Sequence, residues 1–312
     1  MISREILDTF YTPIYDERGK IGIENASKNV AYKKLFREEN VKGAEYKIAT
    51  HGTSGMWQSF TRGEEVPQSD PLQNFTVTAT PKKLGMKIQV HKDDLRDVEE
   101  PAKVFLNKER LFQAMDYMEK GVYTVEKLCM DRFVNAFAAG AYALPDTKAL
   151  CATDHPIVKS SATTFSNKIT TAFSHDALEE MEEKIAKEAR DTKNDYMVNI
   201  RPTILLHGPE IAGEVQRTLN VNAKFRPEDA NNELNIYSGR YIPIETRFLQ
   251  NAAAKYWFLI QPKGYLVLCW WAQPSYTSYI DEKYGYYYFQ SEMDYDIVIA
   301  DARQVWGSEG TT

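Results

Sequence analysis

The chain has 312 residues, of which 43% are hydrophobic, and a formal net charge of -6 at pH 7. That composition predicts a soluble globular protein with one large or two ordinary domains. No run of about 18 apolar residues is present to span a membrane, and Met1 to Phe10 lacks a secretory-signal pattern. The acidic balance argues against a protein that reads nucleic-acid sequence, because such proteins carry a basic excess that displaces counterions from phosphates.

The first 90 residues divide into a charged arm and a strand-rich segment. Residues 1–44 mix both charges with scattered aromatics, and a helix is suggested only around residues 28–39. Apolar and polar residues alternate over 74–80 and again over 86–90, which predicts strands. The polar stretch from Gly63 to Pro71 should project as a loop or hairpin tip, because its prolines cannot belong to a central strand.

A long amphipathic helix is the strongest periodic signal in the chain. Apolar residues step by three or four from Leu111 to Phe137 along one helical face. The pattern predicts a helix from Val104 to Gly140, roughly 55 Å long at about 1.5 Å per residue. Gly121 inside it should weaken or bend it. A helical bundle is disfavoured because no second segment of similar length accompanies this helix.

Shorter helices and strands follow the long helix. Ser174 is the expected N-cap of a helix with apolar residues at positions 178, 181 and 185 on one face. A buried strand at 203–206 then leads through Pro209 into a third helix. The remaining chain predicts short strands at 234–237, 241–245, 256–260, 265–270, 284–289 and 297–300. Nine of the 19 tyrosines lie between Tyr256 and Tyr295, which fits either a surface half-covered by neighbouring subunits or ordinary cross-strand packing.

One fragment, Cys151-Ala-Thr-Asp-His-Pro156, places a thiol, a carboxylate and an imidazole close together in sequence. A nucleophilic or metal site needs such groups to converge. However, Pro156 favours an extended backbone at His155, and the spacing matches no zinc site or catalytic triad. We expect a turn rather than an active site, and no cofactor or metal is predicted. Cys129, Cys151 and Cys269 also lack disulfide spacing.

The order of arm, hairpin, long helix, α/β core and late strands predicts an α+β fold, and several motifs within it resemble a known family. These motifs are residues 55–67 (GMWQSFTRGEEVP), residues 81–90 (PKKLGMKIQV) with Asp94 and Leu95, residues 150–156 (LCATDHP) and residues 165–167 (FSN). In this order and spacing, the chain resembles the major capsid proteins of tailed bacteriophages with the Hong Kong 97 type of fold, and most closely the major head subunit of Mu-like phages.

The resemblance implies a division of the chain into parts. These are an N-terminal arm (1–44), an extended β-hairpin loop (45–90), a peripheral domain (91–196) with a spine helix (104–140), an axial domain (197–271) and a return to the peripheral domain with a tail (272–312). In that family the extended loop lies over a neighbouring subunit. Trp57 and Phe60 are then the expected interface anchors, and Arg62, Glu64 and Glu65 the expected ion-pair partners, with packing inside the hairpin's own base as the alternative.

The implied function is a self-assembling icosahedral shell of pentamers and hexamers that encloses double-stranded DNA without reading its sequence. We expect a separate scaffold protein, a portal and a decoration protein as partners, no proteolysis of the arm, no membrane, and a virion assembled in the bacterial cytoplasm. Two alternatives stay open at this point. One is an encapsulin-like cage that stores a protein cargo, and the other is a soluble enzyme that uses His155 and Asp154.

Overall fold

The computed structural model describes residues 28, 30–51, 59–62, 64–66, 68, 73–91, 108–138, 140, 142, 144–159, 161–190, 200–220, 235–281 and 283–311. Most of the predicted arm, Trp57 and residues 92–107 lie outside this part of the chain. The α-helices within it are α1 (Tyr32–Leu35), α2 (Lys108–Val134), α3 (His175–Glu188) and α4 (Ala212–Asn220). The strands are β1 (Arg37–Asn40), β2 (Tyr46–His51), β3 (Gln73–Ala79), β4 (Lys82–His91), β5 (His155–Pro156), β6 (Thr164–Phe165), β7 (Lys168–Ile169), β8 (Ile204–His207), β9 (Ile242–Glu245), β10 (Trp257–Ile260), β11 (Leu266–Asp281), β12 (Tyr286–Ile299) and β13 (Val305–Ser308).

Two sheets organise these strands. The four-stranded sheet has the order β1-β11-β12-β4, and its centre is the long antiparallel hairpin of β11 and β12. The five-stranded sheet has the order β7-β13-β10-β8-β9, with β8 parallel to β9 and antiparallel to β10. Strands β2 and β3 form a separate antiparallel hairpin. Mixed sheets with helices on them place the chain in the α+β class.

The long helix α2 packs its apolar face into the main hydrophobic core. Val125, Cys129 and Phe133 on this face are buried, and Phe133 meets Phe258 of β10 edge-on with ring centres 5.5 Å apart. A smaller apolar cluster joins the base of the β2–β3 hairpin to the long hairpin, through Ile48, Ala79, Val267, Cys269 and Val298. Through the main core and this smaller cluster, the β2–β3 hairpin and the β11–β12 hairpin pack against the same part of the protein.

Several predicted elements are confirmed. Helix α3 begins after Ser174, whose hydroxyl accepts a hydrogen bond from the Ala177 amide. The predicted apolar positions of α3 are buried, as are Ile211, Val215 and Leu219 in and before α4. These features depend on contacts within one or two helical turns, so local sequence patterns predict them well.

Two predicted helices end earlier than expected, and one predicted strand is a turn. The helix predicted at 28–39 does not extend beyond Leu35, because Phe36 turns extended and the next four residues pair with β11 as β1. The strand predicted at 234–237 is a turn over its described residues, since the Asn235 side chain accepts a hydrogen bond from the Tyr237 amide and favours a local turn. The long helix ends at Val134 rather than Gly140, where the Asn135 side chain donates to the Asp131 carbonyl.

The late strands are longer than predicted. Residues 265–270 continue as one 16-residue strand, and the segments 284–289 and 297–300 belong largely to one 14-residue strand. Beyond Trp270, strand β11 carries two register shifts, between Trp270 and Ala272 and between Ala272 and Ser275, and Pro274 lies within the second. Such irregularities allow a strand to continue past a proline.

The predicted extended loop of residues 45–90 contains two different structures. Strands β2 and β3 form the expected hairpin, and Tyr46 opposite Ala79 is the pair at its base. Strand β4 pairs instead with β12, from Lys82 opposite Tyr295 to His91 opposite Tyr286. The five-stranded sheet likewise combines strands from the predicted axial segment with β7 and β13. The domain boundaries themselves stay a prediction.

Candidate assembly surfaces

The described part of the β2–β3 tip, residues 59–62 and 64–66, presents apolar side chains to solvent. Phe60 is 51% exposed and Val66 is 66% exposed. A compact turn lies between Phe60 and Val66. In it the Thr61 amide donates to Glu64 Oε2 at 2.9 Å, and the Glu64 amide donates to the Thr61 carbonyl at 3.0 Å. Exposed apolar residues on a projecting hairpin are typical of a docking surface. We call these residues the tip segment.

The charged residues predicted for this interface also lie in the tip segment. Arg62, Glu64 and Glu65 are all exposed. The tip segment therefore carries two carboxylates and one guanidinium next to its apolar side chains. Trp57, the other predicted anchor, lies outside the described residues. Packing of Phe60 into the hairpin base, the alternative considered from sequence, does not fit its exposure.

A second exposed surface is a shallow groove along β4 and β12, which the sequence did not predict. It is lined by Lys83, Leu84, Gly85, Met86, Lys87, Gln290, Glu292 and Asp294. Met86 is 46% exposed. Lys83 lies 3.6 Å from Asp294, and the Lys87 ammonium lies 3.8 Å from the centre of the Tyr288 ring. On the face of the sheet that carries Lys83 and Lys87, this β4–β12 groove combines the two lysines with two carboxylates, Glu292 and Asp294.

The tyrosine-rich segment shows the cross-strand packing considered from sequence, and some of its rings are exposed. Tyr279 and Tyr288 are cross-strand partners on β11 and β12, with ring centres 5.0 Å apart. Tyr295 is buried at the core end of β12, whereas Tyr284 at the other end of the hairpin is 59% exposed. Tyrosine side chains near the turn of the hairpin therefore pack across the two strands and are still accessible to solvent, whereas Tyr295 at the core end is buried.

The fragment from Cys151 to Pro156 does not assemble an active site. His155 is buried, and its Nδ1 lies 2.6 Å from Asp146 Oδ2, not from the neighbouring Asp154. Asp154 is exposed and pairs with Lys148, which lowers the pKa of the Asp154 carboxyl by hydrogen bonding. Burial raises the pKa of the Cys151 thiol well above its usual range. A buried, protonated thiol and a carboxylate that faces away cannot act together on a substrate.

Residues 165–167 instead complete a network of buried hydrogen bonds around this fragment. Asn167 is fully buried. Its Nδ2 donates to the carbonyls of Leu150 and Val305 at 2.8 Å each, and its Oδ1 accepts from the Ala152 amide at 2.9 Å. The side chain therefore joins three separate chain segments. Sequence reasoning identified the 165–167 motif but not this role, because the partners are distant in sequence.

A buried carboxylate on α2 holds the segment that leads out of the arm. Glu126 Oε1 accepts from the Ala31 amide and Oε2 accepts from the Tyr32 amide, both at 3.0 Å. These amides lie at the start of α1, where helical amides have no internal partner. Burial raises the pKa of Glu126 above its ordinary value, and the two amide hydrogen bonds partly oppose that shift.

Among the described residues, no helix is long and apolar enough to cross a membrane. In the same part of the chain, no group of three or more histidine, cysteine, aspartate or glutamate side chains is placed to hold a metal ion.

The fold of this chain is similar to the subunits of several solved capsid structures. The capsid of Ralstonia phage GP4 aligns over 90% of this chain and 91% of its own, with 10% identity and a TM-score of 0.56. The mature capsid of bacteriophage PhiM1 aligns over 90% and 86%, with 12% identity and a TM-score of 0.54. A virus-like particle from Pyrococcus furiosus aligns over 94% and 99%, with 12% identity and a TM-score of 0.51. No protein-family model and no curated protein sequence matches the chain.

These similarities establish the fold. The chain has the Hong Kong 97 type of fold that phage capsid proteins share, with mixed α and β structure. The prediction of a Hong Kong 97-like fold with mixed α and β structure is therefore confirmed.

Proposed function

We propose that this chain is the major capsid protein of a tailed phage, which self-assembles into the head shell that encloses double-stranded DNA. The observation that carries the proposal is the likeness of about nine-tenths of the chain to solved phage capsids. Shell formation is the activity, and the chain needs no catalytic chemistry. The pairing of His155 with Asp146 rather than with Asp154 counts against the enzyme alternative.

In this proposal, subunits assemble because the tip segment of one subunit binds the β4–β12 groove of its neighbour. The tip segment of one subunit presents Phe60, Val66 and two glutamates, and the β4–β12 groove presents two lysines beside Glu292 and Asp294. Apolar contact supplies affinity, and opposite charges supply orientation. Each contact is modest, but closed pentamers and hexamers repeat it many times, so the sum is large.

The partners follow from the same proposal. We infer a separate scaffold protein, a portal and a decoration protein, with DNA enclosed rather than read, in line with the net charge of -6. Assembly would take place in the bacterial cytoplasm. The closer assignment to Mu-like head subunits is supported by the motifs at 55–67, 81–90 and 150–156. The division into arm, extended loop, peripheral domain and axial domain is part of this proposal.

Electron microscopy and sedimentation velocity of the purified protein test the proposal. We expect closed particles or five- and six-fold capsomers, alone or with the products of neighbouring genes. A strictly monomeric profile over a broad concentration range, with and without those products, would contradict it. A cage that stores protein, the second class considered, would instead yield DNA-free particles that co-purify with a cargo protein.

A further inference from the structure

The β2–β3 hairpin, which leads to the tip segment, is attached to the rest of the chain at its base. Ile48 and Ala79 belong to the smaller apolar cluster that includes residues of β11 and β12. The Thr80 amide, directly after β3, donates to Asp296 Oδ2 at 3.1 Å, and the Lys82 ammonium donates to Asp296 Oδ1 at 2.8 Å. These contacts hold the hairpin where it leaves the four-stranded sheet. A long two-stranded hairpin that is attached only at its base can still pivot there.

A β-bulge lies farther along the same hairpin. Ala49 pairs with Thr76 and His51 pairs with Gln73, so β3 has one more residue than β2 between these two pairs. A bulge changes the direction of the side chains beside it. Strict alternation would place Asn74 on the same face as the exposed Thr76, yet Asn74 is only 6% exposed. The bulge therefore directs Asn74 towards the rest of the chain.

Asn74 binds the segment that follows β5. Its Oδ1 accepts from the Lys159 amide at 3.0 Å, and its Nδ2 donates to the Ile157 carbonyl at 3.4 Å. This partner segment is itself held by the core, because Ile157 is buried and its carbonyl also accepts from the Arg303 guanidinium at 2.7 Å. The Asn74 side chain thus gives the hairpin a second attachment, away from its base.

The packing around Asn74 leaves a gap, which gives these hydrogen bonds more weight. A cavity of about 20 Å³ lies between Thr50 and Phe75 of the hairpin and residues 144–146 of the turn after the long helix. Side chains that line a cavity make fewer van der Waals contacts than those in a close-packed core. Within the hairpin, the Thr50 hydroxyl donates to the Phe75 carbonyl at 3.0 Å and joins the two strands at the bulge.

We propose that Asn74 is a positioning residue, which fixes the direction of the β2–β3 hairpin and thereby places the tip segment against a neighbouring subunit. Between Asn74 and Thr80 the strand extends by roughly 20 Å, at about 3.3 Å per residue. Two attachments at this separation prevent the pivoting that one attachment at the base would allow. The part of the proposal that concerns the neighbouring subunit rests on the capsid function proposed above.

A fixed hairpin direction favours assembly through entropy. A segment that is mobile in the free subunit must be ordered when it binds, and this ordering costs free energy. A hairpin that Asn74 already holds in place avoids much of that cost. Because a shell repeats the contact many times, a small cost per contact becomes a large effect on assembly. Loss of the Asn74 side chain should therefore weaken assembly more than it weakens the fold.

Distances between two spin labels on isolated subunits test the direction of the hairpin. One label is attached at Val66→Cys in the tip segment and the other at Ala186→Cys on the exposed face of α3, and the three native cysteines are buried. In this labelled background, Asn74→Ala should broaden the distribution of distances several-fold. Distributions of the same width with and without Asn74→Ala would overturn the proposal. The measurement needs no particles, so it is decided even if the chain never forms a shell.

Thr50→Val is a second variant for the same measurement. It removes the hydroxyl group at the bulge and keeps the shape of the side chain, so the chain should fold even if Asn74→Ala does not. We expect a smaller broadening of the distance distribution than for Asn74→Ala. If Asn74→Ala does not fold and Thr50→Val leaves the distribution unchanged, the bulge does not control the hairpin direction and the proposal is wrong.

Light scattering tests the consequence for assembly. Asn74→Ala should raise the protein concentration needed for particles several-fold. The matched control is Asn235→Ala, since Asn235 is also buried and its Oδ1 accepts from the Tyr237 amide at 3.0 Å. This control should lower the urea midpoint to a similar extent, but should leave the distance distribution and the concentration needed for particles unchanged.

Two outcomes separate this proposal from the proposed function. If Asn74→Ala broadens the distances but particles form at the wild-type concentration, the role of Asn74 in placing the tip segment is overturned. If the wild type itself forms no particles under any condition, the capsid function fails, and the distance measurement still decides whether Asn74 fixes the hairpin.

Discussion

His155 Nδ1 lies 2.6 Å from Asp146 Oδ2, and both side chains are buried beneath the turn that follows the long helix. Asp146 also accepts the Lys148 amide through Oδ1 at 3.0 Å. The His155 ring stacks on Phe165, with centres 5.2 Å apart. His155 is therefore a structural residue, although it lies next to Asp154 and near Cys151 in the sequence. It joins the turn to the β5–β6 pair.

Asp146→Ala tests this structural role. The substitution removes both hydrogen bonds and leaves the buried His155 ring without its acceptor, so we expect a loss of about 2–4 kcal/mol in the free energy of unfolding. Urea denaturation followed by circular dichroism measures it. The matched control is Asp154→Ala, whose exposed side chain should leave the urea midpoint unchanged. Equal effects of the two substitutions would show that the buried pair does not stabilise the fold.

Glu126 predicts a specific dependence of stability on pH. Burial raises its pKa above the ordinary value of 4.5, so the folded protein holds this proton more tightly than the unfolded chain. The resulting stabilisation is fully present below pH 4.5 and is lost as the pH rises through the folded-state pKa. Relative to Glu126→Gln, the wild type should therefore lose free energy of unfolding as the pH is raised through this window.

Urea titrations of both proteins at several pH values above 4.5 measure this difference. Glu119→Gln, on the same helix, should follow the wild type throughout. Parallel curves for the wild type and Glu126→Gln would mean that the carboxyl of Glu126 has the same pKa in the folded and unfolded chain.

The apolar anchors of the hairpin tip predict a defect in assembly without a defect in folding. Trp57→Ala combined with Phe60→Ala removes two aromatic side chains, and such anchors typically contribute about 2 kcal/mol or more at an interface. We expect a large rise in the protein concentration needed for particles in light scattering. Far-ultraviolet circular dichroism of the subunit should not change. Normal assembly of the double variant would exclude these residues as anchors.

Charge exchange tests whether the tip segment meets the β4–β12 groove. Glu64→Lys with Glu65→Lys, and separately Lys83→Glu with Lys87→Glu, should each weaken assembly. The quadruple variant should recover part of the loss, because exposed pairs contribute about 0.2–1 kcal/mol each and the shell repeats them many times. Glu210→Lys with Glu214→Lys controls for the change in net charge. If the quadruple variant assembles no better than either pair, the two surfaces do not meet.

The elements predicted correctly are those whose causes lie within a few residues. The Ser174 cap, the apolar face of α3 and the alternation in β3 and β4 are each visible in short windows of sequence. The errors arise where distant contacts override a local pattern. Residues 37–39 read as part of a helix but belong to a strand because β11 is available as a partner. The predicted strand ends at residue 270, yet β11 continues to Asp281 because β12 pairs along most of its length.

The sequence by itself determined the order of arm, hairpin, long helix and late strands, and with it the resemblance to capsid proteins, because periodicity and motif order are properties of neighbouring residues. The tertiary structure decided which residues meet. It pairs His155 with Asp146 instead of Asp154, places β4 beside β12 to form a groove, and sets β13 inside the five-stranded sheet. These relationships join residues that are separated by up to about 200 positions, and packing in three dimensions, not local pattern, selects such partners.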